Sequence, residues 1–215
     1  TGTVLPRHLL EMLAAYCVKF DATCISDEVW EHVVFEGHQH VPLMSIPGMR
    51  ERTVKVGSAG KMFSLTGWKV GLVVAAPELL RVVSKAHQFL TFTTPPNLQA
   101  AVAFGLMKDA AYFTQMRNMF QKSRDRLTDG LRSLGFDVIP SQGTYFVNID
   151  ISGLGETDDF DFCKRLVVDH KVAAIPVSAF YAENPVKNVI RLCFAKKDET
   201  LDEGLARLAR AIGKR

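Results

Sequence analysis

The stretch SAGKMFSLTGWKVG (residues 58–71) determines how the rest of the chain is interpreted. It places Lys61 in a turn of small residues between two short apolar segments, residues 53–57 and 70–76, which are predicted strands. Ser58 precedes this lysine by three positions and Lys69 follows it by eight. Small residues let ligand atoms approach the backbone, and a hydroxyl and a cation bind phosphate. The stretch therefore predicts a site for a covalently held cofactor that carries a phosphate.

Each of these side chains also has a plainer interpretation. A lone loop lysine is usually solvated, and so are most serines and lysines beside it. A neutral lysine amine can attack a carbonyl to form a Schiff base, and lysine is the usual residue for pyridoxal phosphate attachment. The spacing of Ser58, Lys61 and Lys69 favours the cofactor site without deciding it.

Composition and charge are those of an ordinary soluble globular protein. The 215 residues are 47% hydrophobic and 23% charged, with a formal net charge of +3. Basic residues are interspersed with acidic ones, so no nucleic-acid or membrane-surface partner is predicted. The apolar runs are too short to span a membrane, and no signal peptide opens the chain. The cysteines form no C-x-x-C pair, which predicts free thiols in a cytoplasmic protein.

The first hundred residues predict an α/β fold with a mostly parallel sheet. Strand patterns alternate there with helix patterns. The strands are predicted at residues 22–26, 53–59 and 69–76, and the helices at 5–20 and 77–89. A turn followed by a second short strand is predicted at residues 30–35.

The pattern changes after residue 135 to that of a smaller α+β lobe. One or two long helices over residues 98–134, with a break near 108–109, are predicted to connect the two parts. The predicted strands are residues 136–139, 145–149, 172–176 and 189–195, and the predicted helices are 158–170 and 198–212 with Asp198 as the cap.

Two further charged residues are candidates for the site. Asp27 follows a predicted buried strand, and ligands of open α/β sheets gather outside such strand ends. A carboxylate there can hold a proton on a ring nitrogen, although Asp27 could equally cap a turn. Arg191 is the only charge in an apolar strand pattern, and its fork suits a bidentate carboxylate. The plainer interpretation of Arg191 is an edge-strand residue pointing at solvent.

Two other patterns are weaker evidence for a binding site. The sequence GHQH (residues 37–40) contains an H-x-H pair without a third ligand at a telling distance, so an ordinary loop and no metal site are predicted. Phe92 differs from the other phenylalanines of this region because it lies in a proline-rich loop, where it could line a pocket.

With these residues in view, the chain resembles the fold-type-I pyridoxal-phosphate aminotransferases of classes I and II. The resemblance covers essentially the whole chain and is carried by SDEVWE (26–31), the stretch 58–71 and IRLCF (190–194). It is strongest toward the branch of kynurenine and glutamine aminotransferases, which are also cysteine-conjugate β-lyases, and of bacterial methionine aminotransferases. GHQH, AIPVS (174–178) and residues 191–197 carry that part of the likeness.

The resemblance implies a role for each candidate in the cofactor site. Lys61 would be the Schiff-base lysine and would move the proton from the substrate Cα to the cofactor's C4′. Asp27 would pair with the pyridine nitrogen, and Ser58 and Lys69 would hold the phosphate.

The resemblance also implies a substrate site and a partner. Arg191 would bind the α-carboxylate of the substrate. Phe92 matches a position that reaches the active site of the partner subunit, which implies a homodimer with shared active sites.

The chain departs from the family pattern at two places. Trp30 stands where the family usually has a tyrosine that bonds the cofactor's phenolic oxygen; an indole N–H can donate one hydrogen bond there but cannot act as an acid. The family motif Asn-Pro-Thr-Gly is present only as Thr1-Gly2, so the chain is expected to be the C-terminal part of a longer protein. Residues 1–117 would then belong to the large cofactor-binding domain and residues 118–215 to the small domain.

The predicted function is amino-group transfer between an amino acid and a 2-oxo acid in amino-acid metabolism. The amino acid could be methionine, glutamine, kynurenine or another aromatic one. Three alternatives stay open: a cysteine-S-conjugate β-lyase, the aminotransferase-like sensing domain of a transcriptional regulator, and an inactive fragment of an aminotransferase.

Overall fold

The structure, a computed structural model, describes residues 2–213 and divides into two compact units. The first unit runs from Val4 to Gln115, and the second starts at Met116 and includes residues 2–3. Thr1, the first of the two motif residues that the chain contains, lies outside the described residues. The predicted domains, 1–117 and 118–215, concern the whole protein and stay a prediction.

The first unit contains four helices and three strands, and the following helix begins in it. Its order is α1 (Arg7–Lys19), β1 (Cys24–Asp27), β2 (Thr53–Ser58), α2 (Ala59–Met62), β3 (Gly71–Val74), α3 (Pro77–Leu90) and α4 (Pro96–Leu106), and α5 (Ala110–Ser133) crosses into the second unit. The predicted helix break near residues 108–109 therefore falls between α4 and α5. Residues 30–35 form turns with an isolated bridge at Val34, so the short strand predicted there is wrong.

The sheet of the first unit has the order β1-β2-β3 and is mixed. Strands β1 and β2 are parallel, with Asp27 opposite Val56. Strands β2 and β3 are antiparallel, with Ser58 opposite Gly71. The α/β class is confirmed, and within this three-stranded sheet β3 departs from the parallel direction.

Helix α1 buries one side against the loop that leads to β2. Its buried residues Leu10, Ala14 and Cys17 are spaced by three or four positions, which places them on one face. This face packs in one cluster with Leu43, Ile46 and Met49 of the loop. Burial of each large aliphatic side chain stabilises the fold by roughly 1.5–3 kcal/mol. The loop around the GHQH sequence is thus anchored to the helix before β1.

The second unit is an antiparallel sheet with helices. Its elements after α5 are β4 (Asp137–Ile139), β5 (Phe146–Asp150), α6 (Asp159–His170), β6 (Ile175–Pro176), β7 (Val189–Cys193) and α7 (Asp198–Ala211). The strand order is β4-β5-β7-β6, so β7 lies inside the sheet. Asp198 is the first residue of α7, and Lys197 holds the cap position. The predicted capping role of Asp198 is therefore wrong; an acid in the first helical turn instead interacts favourably with the helix dipole.

The two faces of the second sheet differ in composition. Ile190 and Leu192 of β7 and Val147 and Ile149 of β5 are buried. Arg191 alternates with the first pair and therefore lies on the other face of the sheet. The apolar face supplies the core, and the opposite face is left for polar and aromatic groups.

Among residues 2–213, no helix is both long enough and apolar enough to cross a membrane. All four cysteines are free thiols, and Cys17 and Cys163 are buried. Burial, reinforced by the charge of Asp159, raises the pKa of the Cys163 thiol to about 12.

Candidate cofactor site

Several predicted site residues meet at one edge of the first sheet. Asp27 ends β1 and Ser58 ends β2, and because these strands are parallel, both residues lie at the same edge. Strand β3 begins opposite Ser58, so Lys69, two residues before β3, also lies at this edge. The sheet thereby gathers a carboxylate, a hydroxyl and an ammonium group from three separate stretches of sequence.

Lys61 is presented by α2, the single helical turn that follows β2 directly. The turn is tight because the Gly60 carbonyl accepts hydrogen bonds from the Leu65 N–H at 3.1 Å and the Thr66 hydroxyl at 3.2 Å. A Cβ at Gly60 would lie 2.8 Å from the Thr66 Cα, a distance that real side chains do not show. Only glycine fits before the lysine, as the predicted small-residue turn requires.

Trp30 forms the wall beside the lysine. The Lys61 Nζ lies 5.2 Å from the centroid of the Trp30 ring, within the range of a cation–π contact. Both side chains are half-buried. Trp30, which stands where the resemblance leads one to expect a tyrosine, thus presents its ring to the lysine amine.

Asp27 combines the two interpretations that its sequence position allows. Its Oδ1 accepts a hydrogen bond from the Val29 N–H at 3.2 Å, which makes it the cap of the turn after β1. Its side chain is nevertheless exposed at the strand end, on the edge that carries Ser58. Capping fixes the carboxylate in place without burying it.

Ser58 and Lys69 bracket the lysine turn. Ser58 precedes α2 directly, is half-buried and does not use its hydroxyl to cap α2. Lys69 is exposed and has a left-handed backbone with φ of 57°. That conformation costs a non-glycine residue about 1–3 kcal/mol, and here it ends the 3₁₀ turn Thr66–Trp68.

Glu28, next to Asp27, is a buried carboxylate that the sequence interpretation did not single out. It accepts hydrogen bonds from His40 Nε2 at 2.8 Å, the Leu43 N–H at 3.0 Å and the Ser26 hydroxyl at 3.0 Å. Burial raises the pKa of Glu28, but these hydrogen bonds outweigh burial and hold its pKa below the ordinary value. Glu28 therefore anchors the histidine-containing loop to the strand that carries Asp27.

The same cluster has the spacing of a metal site. Ligand atoms of Glu28, Glu31 and His40 lie within 4.8 Å of one another. However, the Lys55 ammonium bonds Glu31 and lies 3.7 Å from Glu28 Oε2. A fixed cation already balances these carboxylates, so the cluster is an ion-pair network and not a cofactor site.

Arg191 lies in the second unit, on the inner strand β7. It stands opposite Asn148 on β5 and opposite Ile175 on β6. Its guanidinium carbon is 4.4 Å from the centroid of Phe146 and 4.6 Å from that of Phe180. It is half-buried on an inner strand, so the alternative of an edge residue in solvent is wrong.

Phe92 occupies the loop between α3 and α4 with its side chain 75% exposed. Its φ of 64° places this bulky residue in the left-handed region, as at Lys69. Five predicted residues, Asp27, Trp30, Ser58, Lys61 and Lys69, thus belong to one edge of the first unit. Phe92 belongs to another loop of that unit and Arg191 to the second unit.

Sequence reasoning missed the two rings around Arg191. Phe146 could have been found, because it lies two positions before Asn148 on β5 and therefore on the same face as Arg191. Phe180 carries no comparable local signal, since its contact depends on how the chain turns after β6.

A small α/β unit that presents a lysine from the turn after a strand, with a carboxylate at the neighbouring strand end, defines a class of cofactor-binding fold. The model of the family "Aminotransferase class I and II" matches residues 1–208. The chain therefore belongs to the class I and II aminotransferases, whose members depend on pyridoxal phosphate.

Relatives with established names support the same assignment. The chain is 39% identical over 218 residues to the probable N-succinyldiaminopimelate aminotransferase of Mycobacterium tuberculosis, covering 97% of this chain and 55% of the relative. It is 38% identical to human kynurenine–oxoglutarate transaminase 1, over 93% of this chain and 52% of the relative. The chain thus spans about half the length of the curated relatives that it matches.

Solved structures agree with this assignment. The N-succinyldiaminopimelate aminotransferase of M. tuberculosis superposes with a TM-score of 0.94 at 41% identity, over 98% of this chain and 55% of that one. An Escherichia coli protein with a methionine aminotransferase function superposes with a TM-score of 0.92 at 36% identity, over 97% and 55%. The fold class inferred from the sequence, fold-type-I pyridoxal-phosphate transferase, is confirmed.

Proposed function

We propose that the whole protein is a pyridoxal-phosphate-dependent aminotransferase that moves an amino group between an amino acid and a 2-oxo acid. The observation that carries this proposal is the placement of Lys61. Its half-buried amine lies on a one-turn helix at the sheet edge that also carries Asp27 and Ser58. The side chains at this edge match the chemistry of the cofactor, since they offer an amine, a carboxylate, a hydroxyl and a second cation.

Two residues would perform the proton chemistry. When bound, the cofactor supplies an electron-withdrawing ring and a carbonyl carbon to which an amine attaches. Lys61 would hold that carbon covalently and, once displaced by substrate, its Nζ would take the proton from the substrate Cα. The Asp27 carboxylate would accept the hydrogen bond of a protonated ring nitrogen and keep the positive charge there. Its capping bond to Val29 keeps this carboxylate oriented.

The remaining predicted residues would bind and orient. Ser58 and Lys69 would supply a hydroxyl and a charge to the phosphate. The ring of Trp30 would limit the directions that the Lys61 amine can take, because the two groups are already in contact. Arg191 would bind the substrate carboxylate, and Phe92 would reach the active site of a partner subunit in a homodimer.

The proposal also covers the identity of the amino donor. The names of the relatives include N-succinyldiaminopimelate, kynurenine and methionine. An activity panel of these amino donors with several 2-oxo acids is therefore the appropriate screen. A cytoplasmic location is part of the same proposal.

The cofactor bond at Lys61 gives the direct test. Replacing Lys61 with Ala removes the amine, so the whole protein mixed with pyridoxal phosphate should lose the visible absorbance band of the lysine-bound cofactor. The control is Lys85→Ala, which removes an exposed lysine of α3 and should keep the band. Absence of the band from the unaltered protein, or its persistence in Lys61→Ala, would contradict the proposal.

A further inference from the structure

We propose that Phe146 and Phe180 are positioning residues that hold the Arg191 guanidinium ready for a substrate carboxylate. The inference rests on the proposed function, because it concerns the arginine assigned to the carboxylate. It adds two residues whose effect on substrate would be indirect, through the orientation of Arg191.

The two rings approach the arginine from different parts of the sheet. Phe146 comes from β5, and Phe180 ends the 3₁₀ turn Val177–Phe180 that continues β6. Strands β5 and β6 are the two neighbours of β7. The guanidinium carbon therefore lies 4.4 Å from one ring and 4.6 Å from the other, with one ring supplied from each side of its own strand.

The charge of Arg191 has no acidic partner within residues 2–213. Its Nε is buried and has no hydrogen-bond partner there. A half-buried guanidinium without a carboxylate is costly, and contact with aromatic faces offsets only part of that cost. Rings engage the faces of the guanidinium plane, whereas its N–H donors point outward in the plane. The two ring contacts therefore restrain the guanidinium, and among the described residues no acidic side chain competes with a ligand carboxylate for it.

The position of Phe180 is itself fixed by a buried group. The Asp159 carboxylate, which is only 1% exposed, accepts a hydrogen bond from the Ser178 N–H at 2.8 Å. This bond ties the 3₁₀ turn to the start of α6. Phe180 is 61% exposed, so it contributes little to the core. Its described contact is the one with the Arg191 guanidinium.

The test compares two substitutions of Phe180 in the whole protein loaded with pyridoxal phosphate. Leucine keeps apolar bulk but has no aromatic face, whereas tyrosine keeps the face. Phe180→Leu should raise the KM for the amino acid by a factor of about 2–5 with kcat little changed, the effect of losing one partly exposed cation–π contact. Phe180→Tyr should restore the KM. The matched control is Phe160→Leu, an exposed phenylalanine of α6, which should leave both constants unchanged.

A binding measurement separates positioning from general support. Calorimetry with 3-phenylpropanoate and with 3-phenylpropanamide compares a ligand that has a carboxylate with one that does not. Phe180→Leu should weaken the binding of 3-phenylpropanoate by the same factor and leave the binding of 3-phenylpropanamide unchanged. Equal loss for both ligands, or no loss for either, would overturn the inference.

Failure of the inference is distinguishable from failure of the proposed function. If the unaltered protein shows no transamination and no cofactor band, the function fails, and carboxylate binding alone still tests the two rings. If the unaltered protein is active but does not bind 3-phenylpropanoate, the assignment of Arg191 to the carboxylate fails. Phe146→Leu is the second variant. It should weaken the binding of 3-phenylpropanoate and leave the binding of 3-phenylpropanamide unchanged. Unchanged or tighter binding of 3-phenylpropanoate would contradict the inference.

Discussion

At the scale of single residues, the side chains of the proposed cofactor site are held in place by contacts within the chain. Lys61 lies against Trp30, and Asp27 is fixed by the Val29 N–H. The ordering of these side chains is built into the fold, so less conformational entropy needs to be lost on binding. The tryptophan that replaces the family's tyrosine supplies a flat wall to the amine where the tyrosine would supply a hydroxyl.

Glu28 provides a residue-scale prediction about stability. The Glu28 carboxylate accepts hydrogen bonds from His40, the Leu43 N–H and Ser26. Glu28→Gln removes its charge and should therefore lower the free energy of unfolding by about 1–3 kcal/mol. Because the pKa of Glu28 is lowered in the folded protein, its contribution is present above the ordinary value of 4.5 and is lost as the pH falls through the folded value. The difference between variant and unaltered protein should therefore shrink below about pH 4.5.

Urea unfolding at several pH values measures this difference. The control is Glu51→Gln, an exposed glutamate of the same loop, which should change stability by less than about 0.5 kcal/mol. A difference that stays constant down to pH 3 would show that the charge of Glu28 is not the source of the effect.

The residue scale also shows what sequence reasoning can find. Lys61, Ser58 and Lys69 were found together because their signal lies within fourteen residues of one another. Sequence patterns do not single out Glu28, because its hydrogen bond is made to a histidine twelve positions away. Phe180 was missed since its partner Arg191 is on another strand, and local pattern carries no such contact.

At the scale of elements, the turn that carries Lys61 is the most constrained piece of backbone at the site. Gly60→Ala would place a Cβ 2.8 Å from the Thr66 Cα, and backbone atoms on both sides cannot easily yield. We expect a loss of about 1–3 kcal/mol of stability together with a weaker cofactor band, because Lys61 would be displaced with the turn. Thermal unfolding and absorbance of the whole protein with pyridoxal phosphate measure the two effects.

Gly67 of the same loop offers the matched control. A Cβ there would have nothing within 4 Å, so Gly67→Ala should keep both stability and the band. If the two variants behaved alike, the close approach of Gly60 to Thr66 would not be what shapes the turn.

Element positions were largely predictable, and element directions and ends were not. Hydrophobic periodicity predicts α6 and β7, because α6 buries one face and burial alternates along β7. Periodicity is identical for parallel and antiparallel strands, so the direction of β3 could not be inferred. The cap of α7 falls on Lys197 because cap geometry is set by backbone angles, and a nearby Asp is only a correlated signal.

At the scale of the whole molecule, large apolar side chains of the first unit are exposed in this chain, which spans about half the length of the relatives that it matches. From α3 to the residue that follows α4, the most exposed apolar side chains include Phe89, Leu90, Phe92, Phe104 and Met107. A cavity of about 380 Å³ is lined by His87 of α3 and by Gln99, Val102, Ala103 and Leu106 of α4. A surface of this composition favours contact with another protein surface. We define it as the α3–α4 surface.

The proposed homodimer assigns this surface to a second copy of the protein, and the assignment is open to a direct experiment. Phe89 is 88% exposed, so Phe89→Asp should not disturb the core of the subunit but would bury a charge in an interface. Sedimentation velocity should show the unaltered protein as a dimer and Phe89→Asp as a species shifted toward monomer. The control Met12→Asp, on the exposed side of α1, should remain dimeric. A dimer that tolerates Phe89→Asp would place Phe89 outside the subunit interface, and the assignment of the α3–α4 surface to a second copy would be wrong.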